Sequence, residues 1–158
     1  DLAKTYPDVI FALPLHLNPK VRDQVLPEVE NLPNVIVSDP LPYDQFTALM
    51  NRSYLVLTDS GGVQEEAPSL GKPVLVMRDN TERPEAVVAG TVKLVGTDRE
   101  LIVAEATNLL EQEAAYKSMA NAVNPYGDGK AASRAVGAIA ALTGVGERLA
   151  EFDPQLSV

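Results

Sequence analysis

The feature that most constrains this chain is the alternation of short apolar runs with longer amphipathic stretches. Runs at Asp8 to Leu15, Asn34 to Asp39, Tyr54 to Asp59, Pro73 to Met77 and Thr91 to Gly96 are bounded by turn residues. They lack in–out alternation, so they read as strands buried on both faces. Between and after them, Asn18 to Glu30, Pro42 to Ser53, Arg99 to Glu111, Glu113 to Ala122 and Gly129 to Leu142 read as helices. Pro19 suits a first helical turn, and Phe46, Leu49 and Met50 share one helical face. Strands alternating with helices imply a parallel sheet with right-handed crossovers. The expected fold class is therefore α/β, a doubly wound parallel sheet, Rossmann-like. At 158 residues, with no repeat, linker or low-complexity segment, residues 1–158 read as a single domain.

Composition narrows the function classes. The apolar fraction of 46% supports a packed core. With no cysteine, disulfides, thiol catalysis and thiolate metal sites are excluded. Thirteen basic against 22 acidic residues give a net charge of −9, which argues against nucleic acid as a partner. A small anion remains compatible, because a helix N-terminus holds phosphate through backbone N–H groups whatever the global charge. No apolar run approaches the roughly 20 residues of a membrane-spanning helix. The first residues lack the basic start and apolar core of a signal peptide. The expectation is a cytoplasmic chain, processed or partial because no initiator Met is present.

The stretch LTDSGGVQEEAPSLGKP, Leu57 to Pro73, poses the functional question. It follows a strand, so it lies at the carboxyl edge of the sheet, where ligands of open α/β sheets bind. Asp59 or Ser60 is expected to cap the next helix, and Gly71 and Pro73 to end it. Gly61 and Gly62 fall in its first turn, each at a cost of roughly 0.5–1 kcal/mol relative to alanine. A tight strand-to-helix turn explains them structurally. The functional explanation is a ligand phosphate that approaches bare backbone, with the Ser60 hydroxyl beside it. Of Glu65 and Glu66, one is accounted for by the helix dipole. A second carboxylate next to a phosphate site suits a ribose, whose vicinal hydroxyls it accepts from. The residues alone do not choose between the two glutamates. Pro68 is expected to bend or break the helix.

MRDNTERPEAVVAGT, Met77 to Thr91, follows the next strand and shares the same edge. Arg78 and Arg83 lie there among acids. They read either as members of local ion pairs on a solvated loop or as an arginine fork for a diphosphate.

Leu57 to Asp98 as a block resembles the non-hydrolysing UDP-N-acetylglucosamine 2-epimerases closely. HLNPKVR (His16 to Arg22) and NPYGDGKAASR (Asn124 to Arg134) fit in the same order. The resemblance covers nearly the whole chain. It implies the C-terminal half of a two-domain GT-B architecture and the interconversion of UDP-GlcNAc and UDP-ManNAc. That reaction eliminates UDP, leaves a 2-acetamidoglucal and re-adds UDP with C2 inverted, using no metal or other cofactor. It further implies a role in polysaccharide synthesis, a homodimer when full length, and allosteric activation by UDP-GlcNAc in bacterial members.

By resemblance, Ser60, Gly61 and Gly62 contact the diphosphate, Glu66 the ribose and Arg83 the diphosphate side of the substrate. Phe46, a core residue by periodicity alone, packs on uracil. Leu41, where relatives often carry glutamine, recognises uracil through its backbone. His16, an ordinary loop histidine by itself, faces the interdomain cleft or an effector. Asp128 reads as a cap for the last long helix. The family's proton-transfer carboxylates lie in an N-terminal domain outside this chain, so the catalytic residues are not assigned here; Glu65 and Glu85 are merely acids nearby. The family's first Rossmann strand also lies outside the chain. In a 3-2-1-4-5-6 order its neighbours are the runs at Asp8 to Leu15 and Tyr54 to Asp59. These are expected to pair directly, to hold another chain between them, or to be disordered. The alternatives are a stand-alone UDP-sugar-binding module and a GT-B glycosyltransferase domain.

Overall fold

The computed structural model describes residues 1–153, and the helices expected from periodicity form. In chain order the elements are α1 (Leu2–Thr5), β1 (Phe11–Pro14), α2 (Pro19–Val29), β2 (Val35–Ser38) and α3 (Tyr43–Arg52). There follow β3 (Val56–Thr58), α4 (Gly61–Ser69), β4 (Val74–Val76), α5 (Pro84–Ala89), β5 (Val92–Leu94), α6 (Arg99–Glu111), α7 (Glu113–Ala120) and α8 (Ala131–Leu142). Local chemistry sets several boundaries. Asn18 Oδ1 accepts from the Lys20 amide at 3.0 Å and starts α2; Asp98 Oδ1 accepts from the Leu101 amide at 2.8 Å and starts α6. Gly129, with φ 78°, keeps α8 from beginning before Ala131.

Two short helices go beyond the sequence reading. α1 precedes the first strand, and α5 lies in what reads as a loop between Met77 and Thr91. The signal for α5 was present: Pro84 takes its first position and Gly90 ends it in the left-handed region at φ 81°. Pro68 does not break α4. It sits one residue before the helix ends, and Gly71 then turns the chain at φ 65°.

All the strand pairs are parallel. β1 pairs with β2 in the register Phe11 to Val35. β3, β4 and β5 form a second sheet in that order, with Val56, Val74 and Val92 in line. The central strand β4 is fully buried. Its alternation splits the core in two. Val74 and Val76 join Met50 of α3, Val63 and Ala67 of α4 and Ala86 of α5 on one face. Leu75 joins Ala106 and Leu109 of α6 on the other, with Leu2 of α1 and Met119 of α7 packed against them. Helices on both faces of a parallel sheet are the doubly wound arrangement expected.

β1 and β3 do not pair with each other, and no strand among the described residues lies between them. Direct pairing is therefore not the outcome. Both strands are formed, each with one edge lacking a strand partner. α1 ties the first sheet to the rest: Asn34 Nδ2 lies within 2.9–3.0 Å of the carbonyls of Ala3, Tyr6 and Val9. Asp1 pairs with Arg99 of α6.

Candidate functional site

Parallel strands place their carboxyl ends on one side, and the chain segments that follow them meet there. After β3, Ser60 is the N-cap of α4 at φ −78° and ψ 131°, but no side chain among the described residues closes the cap. The sequence leads one to expect Asp59 or Ser60 to spend an oxygen on that turn. Instead the Ser60 amide donates to Thr58 Oγ1 at 3.0 Å, and among the described residues no side chain caps the first turn of α4. Gly62 is exposed, with nothing nearer to an added Cβ than Glu66 Oε1 at 4.0 Å. At Gly61 an added Cβ would stand 2.9 Å from Arg83 Nη1 and 3.2 Å from Arg83 Cζ. The guanidinium thus lies directly over bare backbone at a helix N-terminus, a setting that suits an oxyanion.

A buried amide holds Arg83 there. Gln64 is 1% exposed. Its Nε2 donates to the Ser60 carbonyl at 3.2 Å, and its Oε1 accepts from Thr81 Oγ1 at 2.8 Å. Thr81 Oγ1 in turn accepts from the Arg83 amide at 3.1 Å. The sequence reading missed Gln64 and Thr81. The available signal was position: Val63, Gln64, Ala67 and Pro68 form the buried stripe of α4, and a polar residue on a core stripe needs partners.

The two glutamates share a cavity and differ in their contacts. Glu65 accepts from Arg83 Nε, and this contact, ahead of the opposing effect of burial, raises the pKa of the guanidinium. Glu66, one residue on, shares with Glu65 the lining of a shallow cavity of about 290 Å³ between α3 and α4, together with Tyr43, Thr47 and Ser69. Phe46 is half-buried and packs against the core cluster containing Val63, in line with its periodicity. Leu41, also half-buried, follows β2. His16 is exposed after β1, and its bonds are local: Nδ1 accepts from the Asn18 amide at 3.1 Å and its carbonyl accepts from Arg22 Nε at 3.2 Å. Arg78 lines a different cavity, of about 580 Å³, beside Asp79 and Thr97.

The Asn124 to Arg134 segment packs beside α4. Asn124 Nδ2 donates to Ser69 Oγ at 2.8 Å, and Asn124 Oδ1 accepts from the Tyr126 amide at 3.1 Å. The Tyr126 ring packs against the same core cluster as α4. Burial, and after it the charges of Glu85 and Glu65, push its phenol up to about 12, with Arg83 opposing. Asp128 accepts from the Lys130 amide and from both terminal nitrogens of Arg134. The Arg134 hydrogen bond holds its carboxyl well below the usual range. It braces the entry to α8 and does not cap the helix, whose N-cap is Lys130.

The family model described as UDP-N-acetylglucosamine 2-epimerase matches residues 1–140. The UDP-N-acetylglucosamine 2-epimerase of Escherichia coli K12 is 58% identical over 139 residues, which are 88% of this chain and 37% of that protein. Among solved structures, UDP-GlcNAc 2-epimerase from Neisseria meningitidis bound to UDP-GlcNAc superposes with a TM-score of 0.81 at 53% identity, covering 85% of this chain and 37% of that one. S. aureus MnaA in its co-structure with UDP gives a TM-score of 0.90 at 41% identity over 96% of this chain and 42% of that one. The chain therefore spans about two fifths of the length of the relatives it matches.

Proposed function

This chain belongs to the UDP-N-acetylglucosamine 2-epimerase family, and we propose that it is the C-terminal half of a GT-B epimerase, the half that holds the nucleotide. One observation carries the reading: the uncapped Ser60–Gly62 turn has the Arg83 guanidinium over it and the Glu66 carboxylate on the next turn. Backbone N–H groups and a guanidinium suit a diphosphate. A carboxylate one helical turn away suits vicinal hydroxyls. Glu65 is engaged by Arg83, which leaves Glu66 for the ribose. Phe46 and the Leu41 backbone, after β2, are on the side where uracil would sit, and His16 faces the cleft to the other domain or an effector site.

In the whole protein the reaction is the interconversion of UDP-GlcNAc and UDP-ManNAc without net hydrolysis. UDP leaves and returns, so this half holds the leaving group while the C2 proton moves on carboxylates of the other domain. General acid–base groups must stand within hydrogen-bond reach of that carbon. No cofactor or metal enters the scheme. The full-length protein is a cytoplasmic homodimer and nucleic acid is not a partner.

Calorimetric titration of the chain with UDP, with uridine, and with UDP on a Glu66→Ala variant tests the binding assignment. Saturable UDP binding, weaker for uridine and weaker again in the variant, is the expected result. No binding by a folded sample refutes the claim that this half is a competent nucleotide site. Formation of UDP-ManNAc from UDP-GlcNAc by the full-length protein, with no acceptor present, separates an epimerase from a glycosyltransferase.

A further inference from the structure

α3 carries two aromatic residues three apart, Tyr43 and Phe46, and residues at that spacing are neighbours on a helix surface. Their surroundings differ. Phe46 is half-buried and packs against the core cluster that contains Met50 and Val63. Tyr43, the first residue of the helix, is 69% exposed and lines the cavity of about 290 Å³ between α3 and α4. A large ring left in water beside a cavity is surface that a ligand can cover.

The rest of the lining says what kind of ligand part fits. Glu66 lines the same cavity, and its Oε1 lies 4.0 Å from where a Gly62 Cβ would stand. It therefore joins the bare turn of α4 to the cavity. Most other polar groups there are spent. Glu65 is engaged by Arg83. Thr47 Oγ1 donates to the Tyr43 carbonyl at 2.8 Å, and Ser69 Oγ donates to the Glu65 carbonyl at 3.1 Å. The Glu66 carboxylate remains as an acceptor with no hydrogen bond or ion pair among the described residues. Two carboxylates disfavour a phosphate inside this cavity. Its volume is near the lower end of the roughly 300–1,000 Å³ of small-molecule sites, which suits an uncharged, hydroxyl-bearing part of a larger ligand. Four residues separate Gly62 from Glu66, a rise of about 6 Å along the helix, which a nucleotide spans between its phosphate and its ribose diol. The base, beyond the ribose, then meets α3 at Tyr43.

We propose that Tyr43 contacts the nucleobase: its ring covers one face of the base while Glu66 holds the ribose and the α4 turn the diphosphate. This rests on the α4 turn being the diphosphate site and adds to it the surface that meets the base. Stacking needs only a π-face, so Tyr43 supplies affinity for the nucleoside part without choosing among bases.

Calorimetry with UDP and with inorganic pyrophosphate on the parent chain, Tyr43→Ala and Tyr43→Phe tests it. Tyr43→Ala is expected to weaken UDP binding about tenfold, the order of one base–aromatic stack, and to leave pyrophosphate affinity and the melting temperature unchanged. Tyr43→Phe keeps the ring face and is expected to bind UDP as tightly as the parent. The chain has five tyrosines and no tryptophan, so a base laid on Tyr43 also changes the tyrosine emission, and that change should shrink in Tyr43→Phe although binding persists. Equal UDP affinity in parent and Tyr43→Ala overturns the proposal and leaves the diphosphate site standing. So does a loss shared by UDP and pyrophosphate, the mark of a structural role at the start of α3, or an emission change of full size in Tyr43→Phe. A folded parent chain that binds neither UDP nor pyrophosphate removes the diphosphate reading and this proposal with it.

Discussion

Arg83 lies over Gly61 so closely that a Cβ there would come within 2.9 Å of Nη1. Contact of this kind is cheap to relieve for the protein alone, because the obstructing atom is the far end of a flexible side chain. It is expensive for a ligand that needs both the bare backbone and the guanidinium. Gly61→Ala is therefore expected to leave the melting temperature unchanged or slightly raised, since alanine is favoured over glycine in a helix by roughly 0.5–1 kcal/mol. UDP affinity should fall by about tenfold or more, as the Cβ blocks the charge-assisted contacts. Thermal scanning and calorimetry on the same sample check the split. A variant that loses stability and keeps affinity would refute it.

Gln64 is expected to couple stability to affinity where Gly61 separates them. Its side chain is buried and bridges the Ser60 carbonyl to Thr81. Gln64→Leu keeps much of the volume but strands the Ser60 carbonyl and the Thr81 hydroxyl. The expected cost is about 2 kcal/mol in denaturant unfolding, with UDP affinity reduced because the Thr81–Arg83 segment loses its anchor. Thr81→Val should reproduce the affinity loss at a smaller stability cost.

Leu75 reports on the core without touching the site. It lies on the central strand with no exposed surface and packs toward α6. Leu75→Ala is expected to cost about 3 kcal/mol. Nucleotide affinity of the fraction that remains folded should be unchanged.

Tyr126 gives the alkaline limb a specific shape. Its phenol is pushed from 10.0 up to about 12 in the folded chain, first by burial and then by Glu85 and Glu65. A raised pKa means that the folded state holds the proton more tightly than the unfolded state. The resulting stability is present in full below the unfolded value near 10 and is lost as pH rises toward about 12. Melting temperature should therefore fall through that window, and Tyr126→Phe should flatten the fall. Some slope remains in the variant, because the Tyr116 phenol is also raised, by burial and by the charge of Tyr54. An unchanged slope in Tyr126→Phe would show that its phenol titrates as in the unfolded chain.

Much of this protein was legible in its amino-acid order because the relevant causes are local. Short apolar runs between amphipathic stretches dictate parallel strands with helical crossovers, and the strands and principal helices form where those patterns lie. Asn18 and Asp98 start helices through their own side chains. The two glycines after β3 mark bare backbone at a helix N-terminus because nothing beyond the chain's own sequence is needed to put them there. Pro84 and Gly90 bracketed α5 just as clearly, although the intervening charges made the segment read as a loop.

What only the tertiary structure decided concerns partners far apart in sequence. Glu65 and Glu66 are neighbours with the same chemistry, and successive helical residues point about 100° apart. Which of them meets a cation therefore depends on where the chain brings Arg83, 18 residues later. The burial of Gln64, the place of Arg78 beside Asp79 and Thr97, and the buried Tyr126 hydroxyl with no partner among the described residues were decided in the same way. Local pattern sets which residues become helix, strand and turn, because those choices cost or gain free energy within a few residues. Contact between side chains is settled only when the layers pack, and the layers pack by burying apolar surface, which is indifferent to the partners it carries together.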